Sequence, residues 1–183
     1  MTATTRIAVL VGSLRADSTH RRLAEILAEE TPAHVELDIV DGLDRVPFYN
    51  EDLDGADAPA TATALRERVA RADRVLALTP EYNGSIPAVL KNAIDWLSRP
   101  YGAGALVGKP FGVAGATPTP YGGKWAHGDT ARAAGVAGAK VVEDVTVSQP
   151  AVGIDVTTDA ELRAKLLEAV AKLVEYDAEA AAA

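Results

Sequence analysis

Several hydroxyl and guanidinium side chains follow the first apolar run of the chain, residues 7–11. The run is short and rich in β-branched residues, which is typical of a strand buried on both faces. A break at Gly12 and a helical pattern from about residue 19 come next, and this stretch carries Ser13, Arg15, Ser18, Thr19 and Arg21. Backbone N–H groups at a helix N-terminus bind anions, and guanidinium forks match phosphate oxygens. The stretch therefore predicts a phosphate pocket.

A plainer interpretation of this loop stays open at this point. Ser18 is also a good helix N-cap, and in that case the arginines are only solvated. Two common nucleotide-binding loops are excluded, because no Gly-Lys-Ser/Thr follows the loop and no Gly-x-Gly-x-x-Gly pattern is present.

The composition limits the classes of partner and site. At 183 residues with a formal net charge of −8, the chain is expected to form one domain, residues 1–183, that does not bind nucleic acid. It has no cysteine and 3 histidines, so no metal site is expected. No apolar run reaches the ~20 residues of a membrane span and no export signal is visible, so we expect a cytoplasmic protein without a membrane partner.

Strand and helix patterns alternate along the chain. Apolar runs predict five strands, at 7–11, 35–40, 74–79, 111–114 and near 140–147. Helical spacing predicts five helices, at about 19–30, 59–72, 86–97, 124–135 and 158–178. This alternation is typical of a doubly wound α/β fold with a parallel sheet. Ligands of such folds lie beyond the carboxyl ends of the strands.

Two further loops, 79–85 and 115–123, are predicted at that same edge. The first carries Tyr82 and Asn83, which suit the face and the polar edge of a planar heterocycle. Alternatively, Asn83 and its following glycine only make a turn, and Tyr82 packs on the core. The second loop is rich in glycine and proline and either lies against a ring or covers it, although such loops are often plain connectors. His127 and Trp125, near the next helix start, are interpreted as surface or core residues rather than catalytic ones.

Three motifs resemble the NADPH-dependent FMN reductase family, which includes quinone, azo-dye and chromate reductases. They are Gly12-Ser13-Leu14-Arg15-x-x-Ser18, Pro80-Glu81-Tyr82-Asn83-Gly84-Ser85-Ile86-Pro87 and Leu90-Lys91-Asn92-Ala93-Ile94-Asp95-Trp96. They occur with the family's order and spacing over nearly the whole chain. The resemblance implies a flavodoxin-like fold, with a five-stranded parallel sheet in the order 2-1-3-4-5 and helices on both faces. It also implies FMN as the cofactor and NADPH or NADH as the electron donor.

The resemblance implies a role for each loop. Ser13, Arg15 and Ser18 would hold the FMN phosphate, and the hydroxyl of Thr19 and the charge of Arg21 are predicted beside it. The residues implied near the isoalloxazine ring are Pro80, Glu81, Tyr82, Asn83, Gly84 and Ser85, together with Gly115, Ala116, Thr117 and Tyr121. No catalytic acid or base is expected, because the flavin carries the chemistry, with Asn83 and Tyr82 near the ring.

The chain departs from the family pattern at two places. His20 occupies a position where the family usually has asparagine, and 117–120 replaces a run that is often rich in small residues. Histidine can donate to a phosphate, and when protonated it does so with charge. FMN affinity is therefore expected to fall as the pH rises through the pKa of His20.

The predicted activity is the transfer of a hydride from NAD(P)H to FMN and of electrons on to a small-molecule acceptor: free flavin, a quinone, an azo compound or a metal oxyanion. The alternatives are a flavodoxin-like electron carrier without turnover of its own and a module that binds another phosphorylated ligand. Because the family is commonly dimeric or tetrameric, exposed aromatics near Trp96 would suit a homodimer or homotetramer contact through 86–101. Alternatively, Trp96 packs within its own chain.

Overall fold

The computed structural model describes residues 4–176 of the chain. Helices and strands alternate as predicted. The strands are β1 (Thr5–Val11), β2 (Val35–Val40), β3 (Arg74–Leu78), β4 (Pro110–Thr117), β5 (Lys140–Val141) and β6 (Val147–Pro150). The helices are α1 (Thr19–Glu30), α2 (Ala60–Ala70), α3 (Ala88–Leu97), α4 (Lys124–Val136) and α5 (Ala160–Glu175). The predicted end of the last helix, 177–178, lies outside the described residues. Of the helices in the described part, none has the length and apolar character needed to cross a bilayer.

The strands form one parallel sheet in the order β2-β1-β3-β4-β5, with β6 also paired to β4. This confirms the doubly wound fold that the alternation indicated and the strand order that the resemblance implied. Helices α1 and α5 cover the face that carries Ile7 and Val9, and α2, α3 and α4 cover the face that carries Ala8 and Leu10. The central strand β1 is therefore buried on both sides, as its apolar run predicted.

The strand predicted near 140–147 is interrupted. β5 pairs with the start of β4 and β6 pairs with its end, while a 3₁₀ turn, Glu143–Val145, lies between them. Val145 covers β4 at Gly112, where a Cβ would lie 2.4 Å from Cγ1 of Val145. Because β6 pairs along 114–117, β4 is longer than predicted, so 115–117 belongs to the strand and not to the loop.

The third motif of the chain holds the segment that follows β2. The buried side chain of Asn92 in α3 accepts the N–H of Tyr49 at 2.8 Å and donates to the carbonyl oxygens of Val46 and Pro47 at 3.2 and 3.0 Å. The indole N–H of Trp96, one turn further, donates to the same Pro47 oxygen at 2.7 Å. Side chains four residues apart share one face of a helix, so this spacing lets two side chains of α3 bind the same loop.

Trp96 lies entirely inside its own chain. Its side chain is 0% exposed, with Tyr49 packed edge-on at 5.0 Å between ring centroids and the Arg66 guanidinium 5.1 Å above the ring. The prediction is therefore wrong for Trp96, and its packing within the chain is confirmed, whereas Tyr101 at the end of the same stretch is 89% exposed. The burial follows from the apolar spacing of α3, which turns Trp96 and its neighbours toward the sheet.

Candidate active site

The loops that follow β1, β3 and β4 meet at one edge of the sheet, because parallel strands bring their carboxyl ends together. The backbone confirms this contact: the N–H of Gly12 donates to the carbonyl of Leu78 at 2.9 Å, and the N–H of Thr79 donates to the carbonyl of Ala114 at 3.0 Å. The approach is close enough that a Cβ on Gly12 would lie 2.4 Å from Oγ1 of Thr79. Glycine is therefore needed where the first loop passes the second.

Ser18 is the N-cap of α1. Its Oγ accepts the backbone N–H of Arg21 at 3.2 Å, so the capping interpretation of this serine is confirmed. Capping does not use the hydroxyl fully, because an oxygen that accepts one bond keeps its own proton to donate. The first turn of α1 also contains no acidic side chain of its own, and the one acid beside it, Asp17, is paired with Arg22.

The arginines near this helix start differ in their partners. Arg21 donates to Glu25 at 2.9 Å and also to Asp41, and these hydrogen bonds raise its pKa. Arg22 donates to Asp17 at 3.2 Å. Arg15 is exposed and makes no ion pair with any carboxylate in the described range 4–176. Arg15 is therefore the loop cation that is left available to an anion, whereas Arg21 is already neutralised.

Residues 82–85 form a tight turn. Tyr82 and Ser85 exchange two backbone hydrogen bonds, at 3.2 and 3.1 Å, and both central residues have positive φ, 52° at Asn83 and 71° at Gly84. Asparagine and glycine are the residues that tolerate this conformation, so the turn interpretation is confirmed. Tyr82 is exposed, so the alternative that placed it in the core is wrong. The turn presents one aromatic ring and one amide to solvent at the sheet edge.

Glu81, which is partly buried, connects the second loop to α4. One oxygen of its carboxylate accepts the backbone N–H groups of Trp125 and Ala126, at 3.0 and 3.1 Å. Ser85 adds a second link, because its hydroxyl donates to Asp129 at 2.7 Å. The turn and the start of α4 are thus held as one unit. No sequence signal indicates this cap, because 44 residues separate Glu81 from Trp125.

Two buried histidines meet at Gly115. Nε2 of His20 accepts the backbone N–H of Ala116 at 3.3 Å, and Nε2 of His127 lies 3.1 Å from the carbonyl oxygen of Thr79. A carbonyl only accepts, so His127 carries its proton on Nε2, and its Nδ1 accepts from the Ser148 hydroxyl at 2.6 Å. These bonds fix the ends of β3, β4 and β6 directly beneath the loops. Sequence reasoning missed this role of His127.

The position of His20 corrects the expected pH dependence of FMN binding. Burial, and to a lesser extent the neighbouring His127, lowers the pKa of His20 to about 4, so the ring is neutral at neutral pH. Its Nε2 is also occupied by the Ala116 N–H. A charged contact from His20 to a phosphate near pH 7 therefore does not follow. Burial likewise lowers the pKa of His127, against the opposing effects of its bond to Thr79 and the charge of Glu81.

The lowered pKa of His20 is expected to make the fold less stable in mild acid. The unfolded chain takes up a proton near the ordinary pKa of 6.5, whereas the folded chain resists protonation down to about 4. Stability is therefore fully present above pH 6.5 and falls as the pH is lowered toward 4, by about 2 kcal/mol between pH 8 and pH 5. Urea unfolding of wild type and His20→Asn across this range measures the effect. A wild-type slope equal to that of His20→Asn contradicts it.

The remaining predicted site residues lie along β4 and at the start of α4. Gly115, Ala116 and Thr117 are buried in the strand, and the Thr117 hydroxyl lies 2.9 Å from that of Thr119. Tyr121 is half exposed, with its ring centroid 4.6 Å from that of Trp125. Within the predicted third loop, 115–123, the side chains that can reach a ligand are therefore those of residues 118–121.

The donors at this edge fit the group that the resemblance implies. A phosphate dianion suits three features of this edge: Arg15, which forms no ion pair within residues 4–176, the hydroxyls of Ser13 and Ser18, and the acid-free first turn of α1. The exposed face of Tyr82 and the turn amide suit a flat heterocycle beside it.

Comparison with known proteins agrees with this fit. A family model described as NADPH-dependent FMN reductase matches residues 5–152, well over half of the chain. The chain belongs to this family. The structure of FerB, a flavoenzyme NAD(P)H:(acceptor) oxidoreductase from Paracoccus denitrificans, is similar with a TM-score of 0.83 and 33% sequence identity, and covers 97% of this chain and 98% of that one.

Two curated relatives of the chain are named as quinone reductases. A 2-hydroxy-1,4-benzoquinone reductase from a Burkholderia species is 47% identical over 110 residues, 60% of this chain and 59% of the relative. A quinone reductase from Pseudomonas putida is 46% identical over 117 residues, 64% of this chain and 62% of the relative. The matched part thus spans about three-fifths of the length of these relatives.

Proposed function

We propose that the chain is an NAD(P)H-dependent oxidoreductase that binds FMN and reduces a small-molecule acceptor, with quinones as the first acceptor class to test. The observation that carries the proposal is Arg15, which has no carboxylate partner in the described part of the chain, beside a first helical turn without acidic residues, at the edge where the exposed turn 82–85 also lies. Membership of the family and the names of the relatives support it. The single-domain organisation over 1–183 and the cytoplasmic location stay predictions.

In this proposal the residues of the first loop bind the phosphate of FMN. Ser13, Arg15, Ser18 and the backbone N–H groups of the first turn, which begins at Thr19, donate to it. Arg21 does not bind the phosphate through its guanidinium, because Glu25 and Asp41 already pair with that group. His20 supports β4 from below by accepting the Ala116 N–H.

The second and third loops would border the ring. Tyr82, Asn83 and Gly84 are exposed at the turn, while Glu81 and Ser85 fix that turn to α4. Bound FMN supplies the redox chemistry by taking reducing equivalents from NAD(P)H and passing them to the acceptor. The chain's own task is to orient the ring and leave one face open, and turn amides near its polar edge stabilise negative charge there.

An absorbance titration of the purified chain with FMN, followed by anaerobic NADPH and a quinone, tests the proposal. We expect a perturbed flavin spectrum, bleaching by NADPH, and recovery of colour when the quinone is added. Binding without bleaching by NADPH or NADH identifies an electron carrier instead. An unperturbed spectrum assigns the anion pocket to a different phosphorylated ligand.

Arg15→Ala is expected to weaken FMN binding by about 1–3 kcal/mol, because it removes a charge-assisted hydrogen bond to phosphate. Fluorescence titration with FMN measures the dissociation constant. Arg22→Ala is the matched control, since Arg22 lies close by but is paired with Asp17. Equal affinities of Arg15→Ala and wild type would refute the phosphate role of Arg15.

We also propose a homodimer or homotetramer contact through the region 86–101. Its support is a groove of about 750 Å³ between α3 and α4, beside the strongly exposed side chains of Tyr101 and Val136. Trp96 takes no part, because it is buried in its own chain. Light scattering of the purified protein gives the oligomeric state directly, and a monomer at all concentrations disproves this contact.

A further inference from the structure

Tyr121, Lys124 and Trp125 form an exposed cluster at the start of α4, which we call the aromatic–lysine platform. The two ring centroids lie 4.6 Å apart with a 49° tilt. The ammonium of Lys124 lies 5.4 Å from the Tyr121 centroid and 4.9 Å from the Trp125 centroid. Tyr121 is 51% exposed and Trp125 is 45% exposed. Two large rings and a cation are thus presented together to solvent.

The charge of Lys124 has no acidic partner in the described part of the chain. Lys91, Lys165 and Lys172 each pair with a carboxylate four residues away, at 2.6–2.8 Å. The Lys124 ammonium instead lies over two aromatic rings, in a protein whose net charge is −8. An unpaired cation in such a chain is a local attraction for an anion.

The platform is fixed to the predicted ring site. Glu81, in the second loop, accepts the backbone N–H groups of Trp125 and Ala126. On the other side, Gly122 packs so closely that a Cβ there would lie 2.7 Å from the backbone of Ser148 in β6. The rings are therefore held next to the turn 82–85 by the backbone, and are not carried on a free loop.

We propose that the platform binds the adenosine end of the nicotinamide dinucleotide donor, an inference that rests on the proposed function. Purine bases stack on aromatic side chains, and lysine binds phosphate as a point charge. The dinucleotide carries both features side by side, whereas a single-ring quinone carries no phosphate for Lys124. Tyr121 and Trp125 receive the purine, and Lys124 receives either the 2′-phosphate of NADPH or the pyrophosphate common to NADPH and NADH.

Tryptophan fluorescence of the full chain, titrated with adenosine 2′,5′-bisphosphate and with 5′-AMP, tests the platform without turnover. We expect the bound nucleotide to quench the fluorescence of Trp125, so the quenching should be absent in Trp125→Phe. The dissociation constant for the bisphosphate should be about tenfold higher in Lys124→Ala and in Tyr121→Ala than in wild type. Lys140→Ala is the matched control, because Lys140 is exposed at the start of β5, at the opposite edge of the sheet. It should bind both probes as wild type does.

Steady-state KM values for NADPH and NADH then show which phosphate group Lys124 binds. A rise for NADPH alone in Lys124→Ala supports a 2′-phosphate contact, and equal rises for NADPH and NADH support a pyrophosphate contact. Unchanged nucleotide KM and unchanged probe binding in Lys124→Ala overturn the proposal, as does a rise confined to the KM of the quinone. If the wild-type protein oxidises neither NADPH nor NADH, the proposed function is refuted. Probe binding is measured without turnover, so it tests the platform independently of that result.

Discussion

Gly115→Ala is expected to lower the free energy of unfolding by about 2–3 kcal/mol, the upper part of the range for overpacking a filled core. A Cβ at this position would lie 2.4 Å from the Thr79 carbonyl oxygen and 2.9 Å from Nε2 of both His20 and His127. All three neighbours already make hydrogen bonds, so moving any of them breaks one. The strand ends beneath the site should shift as well, and FMN affinity should fall together with stability.

Urea unfolding of Gly115→Ala, compared with Gly128→Ala, separates this effect from a general effect of glycine. Gly128 lies in α4, and a Cβ there would meet nothing within 4 Å. Alanine favours a helix interior over glycine, so Gly128→Ala should be neutral or stabilising by up to about 1 kcal/mol. Equal unfolding midpoints for Gly115→Ala and wild type would show that the histidines are not packed as described.

Trp96→Ala is expected to cost about 3–5 kcal/mol, the usual range for truncating a fully buried large aromatic. The substitution empties a site bounded by Tyr49 and Arg66, and it leaves the Pro47 carbonyl without its indole donor. Asn92 would then be the remaining side chain of α3 that is hydrogen-bonded to the segment after β2. Trp96→Phe, which keeps a ring but removes the donor, should fall between wild type and Trp96→Ala.

The matched control is the second tryptophan of the chain. Trp125 is half exposed and its side chain makes no hydrogen bond within the described residues, so Trp125→Ala should cost only about 1 kcal/mol, for the lost contacts with Tyr121 and Lys124. Chemical denaturation followed by far-UV circular dichroism compares the variants without relying on tryptophan emission. Similar losses of stability for Trp96→Ala and Trp125→Ala would contradict the assignment of Trp96 to the core.

The sequence predicted helices and strands well where the spacing of apolar residues is enough to define them. β1 is a continuous apolar run, and α3 repeats its apolar residues at helical spacing, so both were found within a few residues of their observed bounds. The shared edge of three loops then followed from parallel pairing. The turn at Asn83 was also predictable, because few residues adopt positive φ readily.

The relations that the sequence did not predict depend on distant partners. Nothing near Glu81 indicates that it caps α4, and nothing near His20 indicates a buried ring bonded to β4, 96 residues away. Local pattern also predicted the fifth strand as one piece, because valines occur before, within and after the 3₁₀ turn Glu143–Val145. Only the close approach of Val145 to Gly112 shows why the chain leaves the sheet there.

The interrupted strand pair next to β4 has a consequence for aggregation. A long, regular sheet edge is a template on which another chain can add a strand. Here one edge is broken into β5 and β6, and the other, β2, carries Glu36 and Asp38, held by Arg6 at 3.0 Å and Arg68 at 2.9 Å. Neither edge offers an uncharged, continuous row of backbone groups. Strand addition is therefore disfavoured at both ends of the sheet, and helical surfaces are left as the route by which copies of this chain can associate.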